Sequence, residues 1–481
     1  MPPVVSGPFS RIANQVASTH GEQYSGFLLL DDNRSGLEWR LRMIDSARQS
    51  IDLQYYLWYG DDSGRLIAYR LIAAADRGVR VRLLVDDLNT LLENSGRVSQ
   101  RDTVAARLNS HPNVELRLFN PWSRRAIGGR VGESLLEAGR VNQRMHNKAL
   151  IVDNMAVVLG GRNLGDEYMG LNPHFNFRDL DVLGVGPVAA QASGVFDEFW
   201  NSEWVLPASA LDIPVTANDT AEARANMLSD LRQAQELSEI PIAPADWSTE
   251  LAQLSSDVLP GIARVTSDRP RGKTLEHVML EETRRAIRTA RTELRVVNAY
   301  IIPNDQTIKT LQGLDSHGVS IDVLTNSLAS HDVPAVNSHY KPWRKRMLEA
   351  GVNLYELRHD GSTQQTVADT PPVRSRFMGL HTKAMTIDDR TVYIGSMNYD
   401  PRSAVINSEM GVFIDSPPLA EVVNTLIDRD IQPDNSWEVS LDAEGKLIWN
   451  NSVDSVTRQP ARSVWQRIQD VFFMLFPKEL Y

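Results

Sequence analysis

Residues 146–163 read HNKALIVDNMAVVLGGRN, and residues 381–398 read HTKAMTIDDRTVYIGSMN. Both stretches carry His, Lys and Asp at relative positions 1, 3 and 8, a Gly-Gly or Gly-Ser pair at 15 and 16, and Asn at 18. Each fixed position matches by chance about once in twenty, so coincidence does not account for two well separated copies. The pattern indicates a duplicated element that supplies the same polar side chains twice.

The sequence around the two stretches repeats one order of secondary structure. Each half has a predicted strand, helix, buried strand and shorter strand, at 51–57, 64–77, 79–87 and 114–120 in the first half and at 293–302, 306–316, 319–327 and 352–358 in the second. A strand, a helix and a second strand in this order form a βαβ unit. We therefore predict an α/β fold in which two similar α/β/α domains, produced by duplication, meet at an active site.

The domain boundaries follow from this repeat and from composition. Residues 205–270 mix Pro, Ala, Ser and acidic residues around one predicted helix at 220–237, which is typical of a connecting region. The first half is then 1–204 and the second half is 271–440. Residues 441–481 form a tail that contains a predicted amphipathic helix.

The composition is that of an ordinary folded protein with more than one domain. The chain has 481 residues, of which 42% are apolar and 23% are charged. Lys and Arg total 50 against 61 Asp and Glu, and the resulting net charge of −11 argues against a nucleic-acid partner. The chain has no Cys, which excludes disulfides, thiolate metal ligands and a Cys nucleophile.

The side chains of the two stretches suggest one reactive site. Because residues alternate across a strand, His146 and Lys148 share one face, as do His381 and Lys383. Asp153 and Asp388 complete the signature and are counted with these catalytic candidates. Their odd offset from the histidines, however, favours a structural carboxylate in the turn before the next strand.

An acidic strand start follows each stretch and offers partners for the histidines. FRDLDVLGVG contains Asp179 and Asp181, and INSEMGVFID contains Asn407 and Glu409. A carboxylate that accepts a hydrogen bond from Nδ1 fixes the tautomer and raises the basicity of Nε2. We assign this orienting role to Asp181 and Glu409.

Two histidines, two lysines and two asparagines suit the cleavage of a phosphodiester. One histidine attacks phosphorus to form a phosphohistidine, and the other protonates the leaving alkoxide and then deprotonates the acceptor. The lysines stabilise the non-bridging oxygens, together with predicted substrate-binding residues. These are Asn163, Ser396 and Asn398. No set of His, Glu and Cys has the spacing of a metal site, so we expect no metal and no cofactor.

With their Gly-Gly-x-Asn and Gly-Ser-x-Asn ends, the two stretches resemble the paired signatures of the phospholipase D superfamily. Further segments resemble those of bacterial cardiolipin synthases of the C type, among them IDLQYYLWYGDDSGRL at 51–66, GGRNLGDEY at 160–168 and RDLDVLGVGP at 178–187. The resemblance implies two halves whose histidines meet in one cleft. It implies His146 as the nucleophile and His381 as the acid and base, and the reverse assignment stays open.

The resemblance implies a phosphatidyltransferase that makes cardiolipin from phosphatidylglycerol and a second phospholipid, at a bacterial cell membrane. Three alternatives stay open: a phospholipase D that releases phosphatidic acid, a nuclease of the same superfamily, and a non-catalytic lipid-binding protein. An accessory protein is compatible with the sequence. The first 30 residues show no intact signal peptide, although a removed leader is also compatible.

The carboxyl end offers a means of peripheral membrane contact. No apolar run approaches the roughly 18 residues that a spanning helix needs. Apolar residues nevertheless recur at helical spacing near the end of the chain: Val464, Trp465, Ile468, Val471, Phe472, Leu475 and Phe476. This helix either lies in the membrane interface or packs on the domain, and a lipid substrate favours the interface. A basic stretch at 122–144 is either a loop that holds lipid phosphates or a solvated insertion.

Overall fold

The computed structural model describes residues 2–87, 108, 110–122, 138–211 and 221–475. Within these residues the strands are β1 Tyr24–Leu30, β2 Ser50–Tyr55, β3 Arg80–Asp86, β4 Val114–Phe119, β5 Ala149–Val152, β6 Ala156–Gly160, β7 Phe175–Arg178, β8 Asp181–Val185, β9 Val205–Pro207, β10 Leu259–Ser267, β11 Arg269–Arg271, β12 Thr274–Glu276, β13 Glu293–Asn298, β14 Ser320–Asn326, β15 Val352–Leu357, β16 Phe377–Leu380, β17 Lys383–Ile387, β18 Thr391–Gly395, β19 Met410–Asp415, β20 Ser436–Leu441, β21 Leu447–Asn450 and β22 Ser455–Val456.

The α-helices of the described residues are α1 Pro8–His20, α2 Asn33–Ser46, α3 Asp62–Asp76, α4 Ala138–Val141, α5 Asp166–Met169, α6 Pro187–Trp200, α7 Ala221–Gln233, α8 Ser248–Asp257, α9 Met279–Ile287, α10 Asp305–Ser316, α11 Pro334–Tyr340, α12 Arg344–Leu348, α13 Pro401–Val405, α14 Pro417–Asp430 and α15 Val464–Phe473. Helix α3 connects the parallel strands β2 and β3, and α10 connects β13 and β14. Both predicted βαβ units are therefore confirmed.

One sheet runs through both halves of the chain and has a near-symmetric strand order. From one edge to the other, the order is β22, β21, β20, β15, β14, β13, β17, β18, β19, β10, β1, β8, β6, β5, β2, β3, β4 and β9. The order in one half is the mirror of the order in the other, apart from the extra pair β21 and β22. The predicted α/β fold with two similar halves is confirmed.

The two halves join through the antiparallel pair β1 and β10, in which Tyr24 lies opposite Ile262. Strand β10 falls inside the predicted connecting region, as does β9, which pairs with β4. The sequence of β10, LPGIARVTS, has the Pro and Gly of a loop, and its partners β1 and β19 are remote in the chain. A core cluster shared by both halves buries Phe27 and Val182 with Ile394 and Val412.

Short parallel contacts between the halves lie next to the two signature histidines. Strand β16, which ends one residue before His381, pairs with β7, and Leu380 lies opposite Arg178. The matching contact in the other direction is an isolated bridge between Met145 and Ser408. Each segment that leads into a histidine therefore runs beside the segment of the other half that leads into an acidic residue.

Candidate active site

His146 and His381 line one cleft of about 860 Å³ between the two halves. The walls come from both halves and include Tyr56, Asn163 and Tyr168 from the first and Tyr300, Asn398 and Arg402 from the second. The duplication predicted that the two histidines meet, and the structure brings them to the same cavity. Both rings are held in nearly buried positions, with His146 7% exposed and His381 5% exposed.

Each histidine is oriented by a carboxyl group of the opposite half. The Nδ1 atom of His146 lies 2.8 Å from Oε2 of Glu409, and Nδ1 of His381 lies 2.6 Å from Oδ2 of Asp179. Backbone hydrogen bonds also join each histidine to the opposite half: His146 N donates to Ser408 O and His381 N donates to Arg178 O, both at 2.8 Å. Because Nδ1 of each ring is engaged by a carboxyl group, Nε2 is the ring nitrogen suited to react with a substrate.

The assignment of Asp181 as an orienting residue is wrong, and Asp179 takes that place. Asp181 lies opposite Gly160 at the start of β8, and its Oδ2 atom is 2.8 Å from Arg40 and 3.2 Å from Arg162. The carboxylate of Asp181 thus forms ion pairs with two guanidinium groups. The position of Asp179 in the repeat could have identified it. Gly160 pairs with Asp181, and Asp179 lies two residues before that partner. In the second half Gly395 pairs with Gly411, and Glu409 likewise lies two residues before the partner.

Ser396 does not line the cleft but stabilises Glu409. It is fully buried, and its hydroxyl donates a short hydrogen bond to Oε2 of Glu409. The structure therefore places it behind the histidine pair instead of among the substrate-binding residues. The equivalent position in the first half is Gly161, where a Cβ atom would lie 2.2 Å from Oδ1 of Asp179. Glycine is needed there because the carboxylate approaches the backbone closely.

The two predicted substrate-binding asparagines do line the cleft. The side-chain oxygen of Asn163 accepts a hydrogen bond from the backbone N–H of Leu57 at 3.3 Å. Asn398 is 5% exposed. Both amides therefore stand at the cavity that holds the histidines, one from each half.

Lys148 and Lys383 are buried beside their histidines. The Nζ atom of Lys148 donates to the carbonyl oxygen of His146 at 2.7 Å, and Lys383 donates in the same way to His381. Each ammonium group also lies over a tyrosine ring, at 5.3 Å for Lys148 and Tyr56 and 5.8 Å for Lys383 and Tyr300. Burial lowers the pKa of Lys148 to about 7 and the pKa of Lys383 to about 8.

The two histidine–carboxyl pairs differ in the pKa shifts of their groups. Burial and the positive charges of Lys148 and Lys383 hold the pKa of His146 well below its usual value. Burial and Lys383 also lower the pKa of His381, but the charge of Asp179 opposes them. Burial would raise the pKa of Asp179, yet His381 and nearby cations outweigh it and the pKa is lowered.

Glu409 behaves in the opposite way to Asp179. Burial raises its pKa well above the ordinary value, and the charge of Lys148 and the hydrogen bond from Ser396 offset this only in part. Its second oxygen, Oε1, is buried without a hydrogen-bond partner. Glu409, the partner of His146, is thus more easily protonated than Asp179, the partner of His381.

Asp153 and Asp388 do not belong to the catalytic group and must be corrected to structural residues. Each occupies the loop of a hairpin with positive φ, 56° for Asp153 and 52° for Asp388. Their carboxylates accept hydrogen bonds from consecutive backbone N–H groups, which belong to 48–50 for Asp153 and 291–293 for Asp388. A short side chain that tolerates the left-handed region and caps free N–H groups explains this signature position.

Aromatic rings surround the histidines, and the sequence analysis did not single out those of Phe177 and Tyr168. The ring centroid of Tyr56 lies 4.7 Å from that of His146, and the centroids of Phe177 and Tyr168 lie 4.9 and 5.1 Å from that of His381. Their spacing shows no periodic signal, so only the fold identifies them. Arg144 of the basic stretch lines the cleft as well, while residues 123–137 of that stretch lie outside the described residues.

Comparison with known proteins identifies the family. The family model described as "Cardiolipin synthase, PLD-like domain" matches residues 41–200 and 283–431, which contain the two signatures. Cardiolipin synthase C of Escherichia coli strain K12 is 35% identical over 464 residues, covering 94% of this chain and 95% of that protein. This chain belongs to the cardiolipin synthase PLD-like family. It is an enzyme of the phosphatidyltransferase and phospholipase D type.

Two further proteins resemble this chain at lower sequence identity. The major cardiolipin synthase ClsA of Bacillus subtilis is 23% identical over 84% of this chain and 68% of that protein. The crystal structure of phosphatidylserine synthase from Haemophilus influenzae superposes with a TM-score of 0.56 at 14% identity, covering 87% of this chain and 91% of that chain. That likeness shows that the PLD-like fold extends across both halves.

The C-terminal helix α15 turns its apolar side to solvent. Trp465 is 64% exposed and Val471 is 63% exposed, whereas Asp470 is 1% exposed. The predicted apolar set is thus a surface of the protein as far as residue 475, and Phe476 lies outside the described residues. No helix among the described residues has both the length and the apolar character to cross a membrane.

Proposed function

We propose that this protein is a cardiolipin synthase that transfers a phosphatidyl group from one phospholipid to a headgroup hydroxyl of another, with phosphatidylglycerol as one substrate. The observation that carries the proposal is the pair of histidines in one cleft, each oriented by a carboxyl group of the opposite half. The similarity to cardiolipin synthase C over almost the whole chain supports it.

In the first half-reaction, Nε2 of His146 attacks the phosphorus of the donor lipid. The bond between phosphorus and the headgroup oxygen breaks, and His381 donates its proton to that oxygen. The products are a phosphatidyl-histidine and the free headgroup alcohol. The ionised Asp179 beside His381 favours a ring that holds a proton, which is why we assign the acid role to His381.

In the second half-reaction, the acceptor hydroxyl takes the place of the departed headgroup. His381, now neutral, removes the hydroxyl proton as the oxygen attacks phosphorus, and the bond to Nε2 of His146 breaks. His381 is thereby returned to its protonated form. Lys148, Lys383, Asn163 and Asn398 stabilise the charge that develops on the non-bridging oxygens in both steps.

The cleft walls favour a lipid acceptor over water. Beyond the polar centre, the lining includes Trp122, Val141, Phe175, Val333 and Val336. Apolar walls of this kind fit the parts of a phospholipid next to its phosphate and limit the access of water to the phosphohistidine. Hydrolysis to phosphatidic acid is the nearest alternative because it uses the same groups.

Peripheral contact with the membrane forms part of the proposal. Helix α15 presents an apolar surface of Val464, Trp465, Ile468 and Val471 to solvent. A lipid surface is the occupant that matches an enzyme with bilayer substrates, because such a helix buries its apolar side at the boundary of headgroups and acyl chains.

Product analysis with the purified protein tests the proposal. Vesicles of isotopically labelled phosphatidylglycerol are incubated with the protein, and lipids are quantified by mass spectrometry with and without EDTA. We expect labelled cardiolipin in both samples and no need for a second protein. Phosphatidic acid as the dominant product would favour the hydrolase, and no turnover together with cleavage of DNA in EDTA would favour the nuclease. Binding of phosphatidylglycerol without any turnover would favour the lipid-binding protein.

A further inference from the structure

Helix α15 is attached to the protein by polar groups. Its inward-facing residues are Gln466, 5% exposed, and Asp470, 1% exposed. The carboxylate of Asp470 accepts hydrogen bonds from Asn337 Nδ2 at 2.6 Å, Lys341 Nζ at 2.7 Å and Gln459 Nε2 at 2.9 Å. A helix that served only to extend the core would bury its apolar side. These contacts instead hold the apolar side outward.

Asn337, a partner of Asp470, lies directly after a residue that lines the active-site cleft. Asn337 lies in α11, and the neighbouring residues Asp332, Val333 and Val336 line the cavity that contains both histidines. Arg344 donates to the side-chain oxygens of Asn337 and Gln459, each at 2.9 Å. The wall and the helix therefore share one continuous polar network.

A second connection leads from α15 to β16, the strand that ends directly before His381. Gln466 donates to the carbonyl oxygen of Leu328. Two residues earlier, the side chain of Asn326 donates to Leu380 O at 2.8 Å and accepts from Leu380 N at 2.9 Å. Leu380 directly precedes His381. The guanidinium of Arg462, just before the helix, lies 3.4 Å from the ring centroid of Phe377 in the same strand β16.

We propose that Asp470 is a positioning residue that ties the lipid-facing helix to the cleft wall, so that docking of α15 on a bilayer presents the cleft to phospholipid headgroups. The proposal rests on the proposed function and adds the element that couples membrane contact to substrate entry. The surface that docks is apolar, and α15 carries only Arg467 and Asp470 as charged residues. Burial of apolar area, not attraction to anionic lipid, therefore provides the contact.

The Asp470→Asn variant tests the coupling with little change of shape. The new amide group turns an N–H donor toward a site where Asn337, Lys341 and Gln459 all donate, and it removes the charge opposite Lys341. We measure turnover of vesicles of phosphatidylglycerol and phosphatidylcholine, and of dihexanoyl-phosphatidylglycerol as dissolved monomers. We expect about a tenfold loss on vesicles and no loss on the monomeric lipid. The control is Asp454→Asn, an exposed carboxylate in the same tail, which should match the wild type on both substrates.

Equal loss on both substrates would assign Asp470 a merely structural role, and no loss on vesicles would refute the coupling. Hydrogen exchange of the segment 328–340 provides a test that does not need turnover. Vesicles should slow exchange there in the wild type and in Asp454→Asn, but not in Asp470→Asn. Identical protection in Asp470→Asn would also overturn the proposal. A wild type that turns over neither lipid would refute the proposed function, and the exchange result would still decide the coupling.

Discussion

The two halves present the same histidine with different surroundings. His381 stands beside Asp179 at 2.6 Å, and the glycine at position 161 leaves room for that carboxylate. His146 stands beside Glu409 at 2.8 Å, and Ser396 at the matching position donates to the same carboxyl oxygen. Duplication explains the shared plan, so the differences are the part of the site that can separate two chemical roles.

The difference lies in how strongly each carboxyl group favours a protonated histidine. Asp179 has a lowered pKa and favours an imidazolium at His381, while Glu409 has a raised pKa and supports a charged ring at His146 less strongly. The charges that act most strongly on His146 come from Lys148, Lys383 and His381, and each lowers its pKa. A ring that stays neutral is suited to attack phosphorus, and a ring that holds a proton is suited to protonate the leaving group.

Removing either ring tests the comparison with the largest effect. We expect His146→Ala and His381→Ala each to lower the turnover of phosphatidylglycerol by about 10⁴-fold or more, with unfolding temperatures close to that of the wild type. The two variants should differ with phosphatidyl-p-nitrophenol, whose leaving group needs no proton. His381→Ala should still release a burst of p-nitrophenol, and His146→Ala should release none. The opposite result would make His381 the nucleophile and His146 the acid, and full activity of either variant would refute the mechanism.

Substituting the orienting carboxyl groups should give an intermediate and unequal effect. Asp179 raises the pKa of His381, so Asp179→Asn lowers that pKa. The fraction of protonated His381 then falls at a lower pH, and the alkaline limb of the profile of kcat against pH moves toward acid. We expect about a 10²-fold loss at pH 7.5 for Asp179→Asn. Glu409→Gln should lose less and shift the profile less. Equal shifts in the two variants would show that the pairs are equivalent.

Exchanging the small residues behind the pairs should give smaller effects. Gly161→Ser would force the carboxylate of Asp179 away, because a Cβ atom would lie 2.2 Å from its Oδ1 atom. Ser396→Gly removes the hydrogen bond to Glu409 and the hydroxyl that accepts from Met410 N at 3.0 Å, but it forces no group to move. We expect a loss of about 1 kcal/mol or about fivefold in turnover. We therefore expect Gly161→Ser to lower kcat more than Ser396→Gly does. The unfolding temperature of each variant is measured alongside kcat to detect any loss of stability. A larger loss in Ser396→Gly would show that Glu409 is the more sensitive partner.

The spacing of the two signatures predicted the duplicated fold and the meeting of the histidines, because both follow from local patterns. The choice between Asp179 and Asp181 could not be made from alternation, since residues two apart are expected on the same face of an extended segment. It depends on Arg40 and Arg162, which form ion pairs with Asp181 and come from other elements of the fold. The exchange of carboxyl groups between the halves has the same origin. It arises from the contacts of β7 with β16 and of Met145 with Ser408, for which neither half alone contains a signal.

The turn carboxylates should give the smallest effect on catalysis, and they extend the comparison to stability. Asp153 is buried and Asp388 is partly exposed, although both bind three consecutive backbone N–H groups. We expect Asp153→Asn to lower the free energy of unfolding by about 2 kcal/mol and Asp388→Asn by less, because solvent screens the exposed site. The folded variants should keep the kcat of the wild type. A loss of kcat without a loss of stability would return these residues to the catalytic group.

The loss of stability in Asp388→Asn should depend on pH. Burial raises the pKa of Asp388, but the N–H groups of residues 291–293 outweigh it and lower the pKa below the ordinary 3.8. A carboxylate with a lowered pKa stabilises the folded state above its unfolded pKa, and this contribution is lost as the pH falls through the folded pKa. The gap in unfolding temperature between wild type and variant should be complete at pH 7 and should narrow as the pH falls below about 3.8. A gap that does not change with pH would mean that the loop conformation, and not the charge, accounts for aspartate at this position.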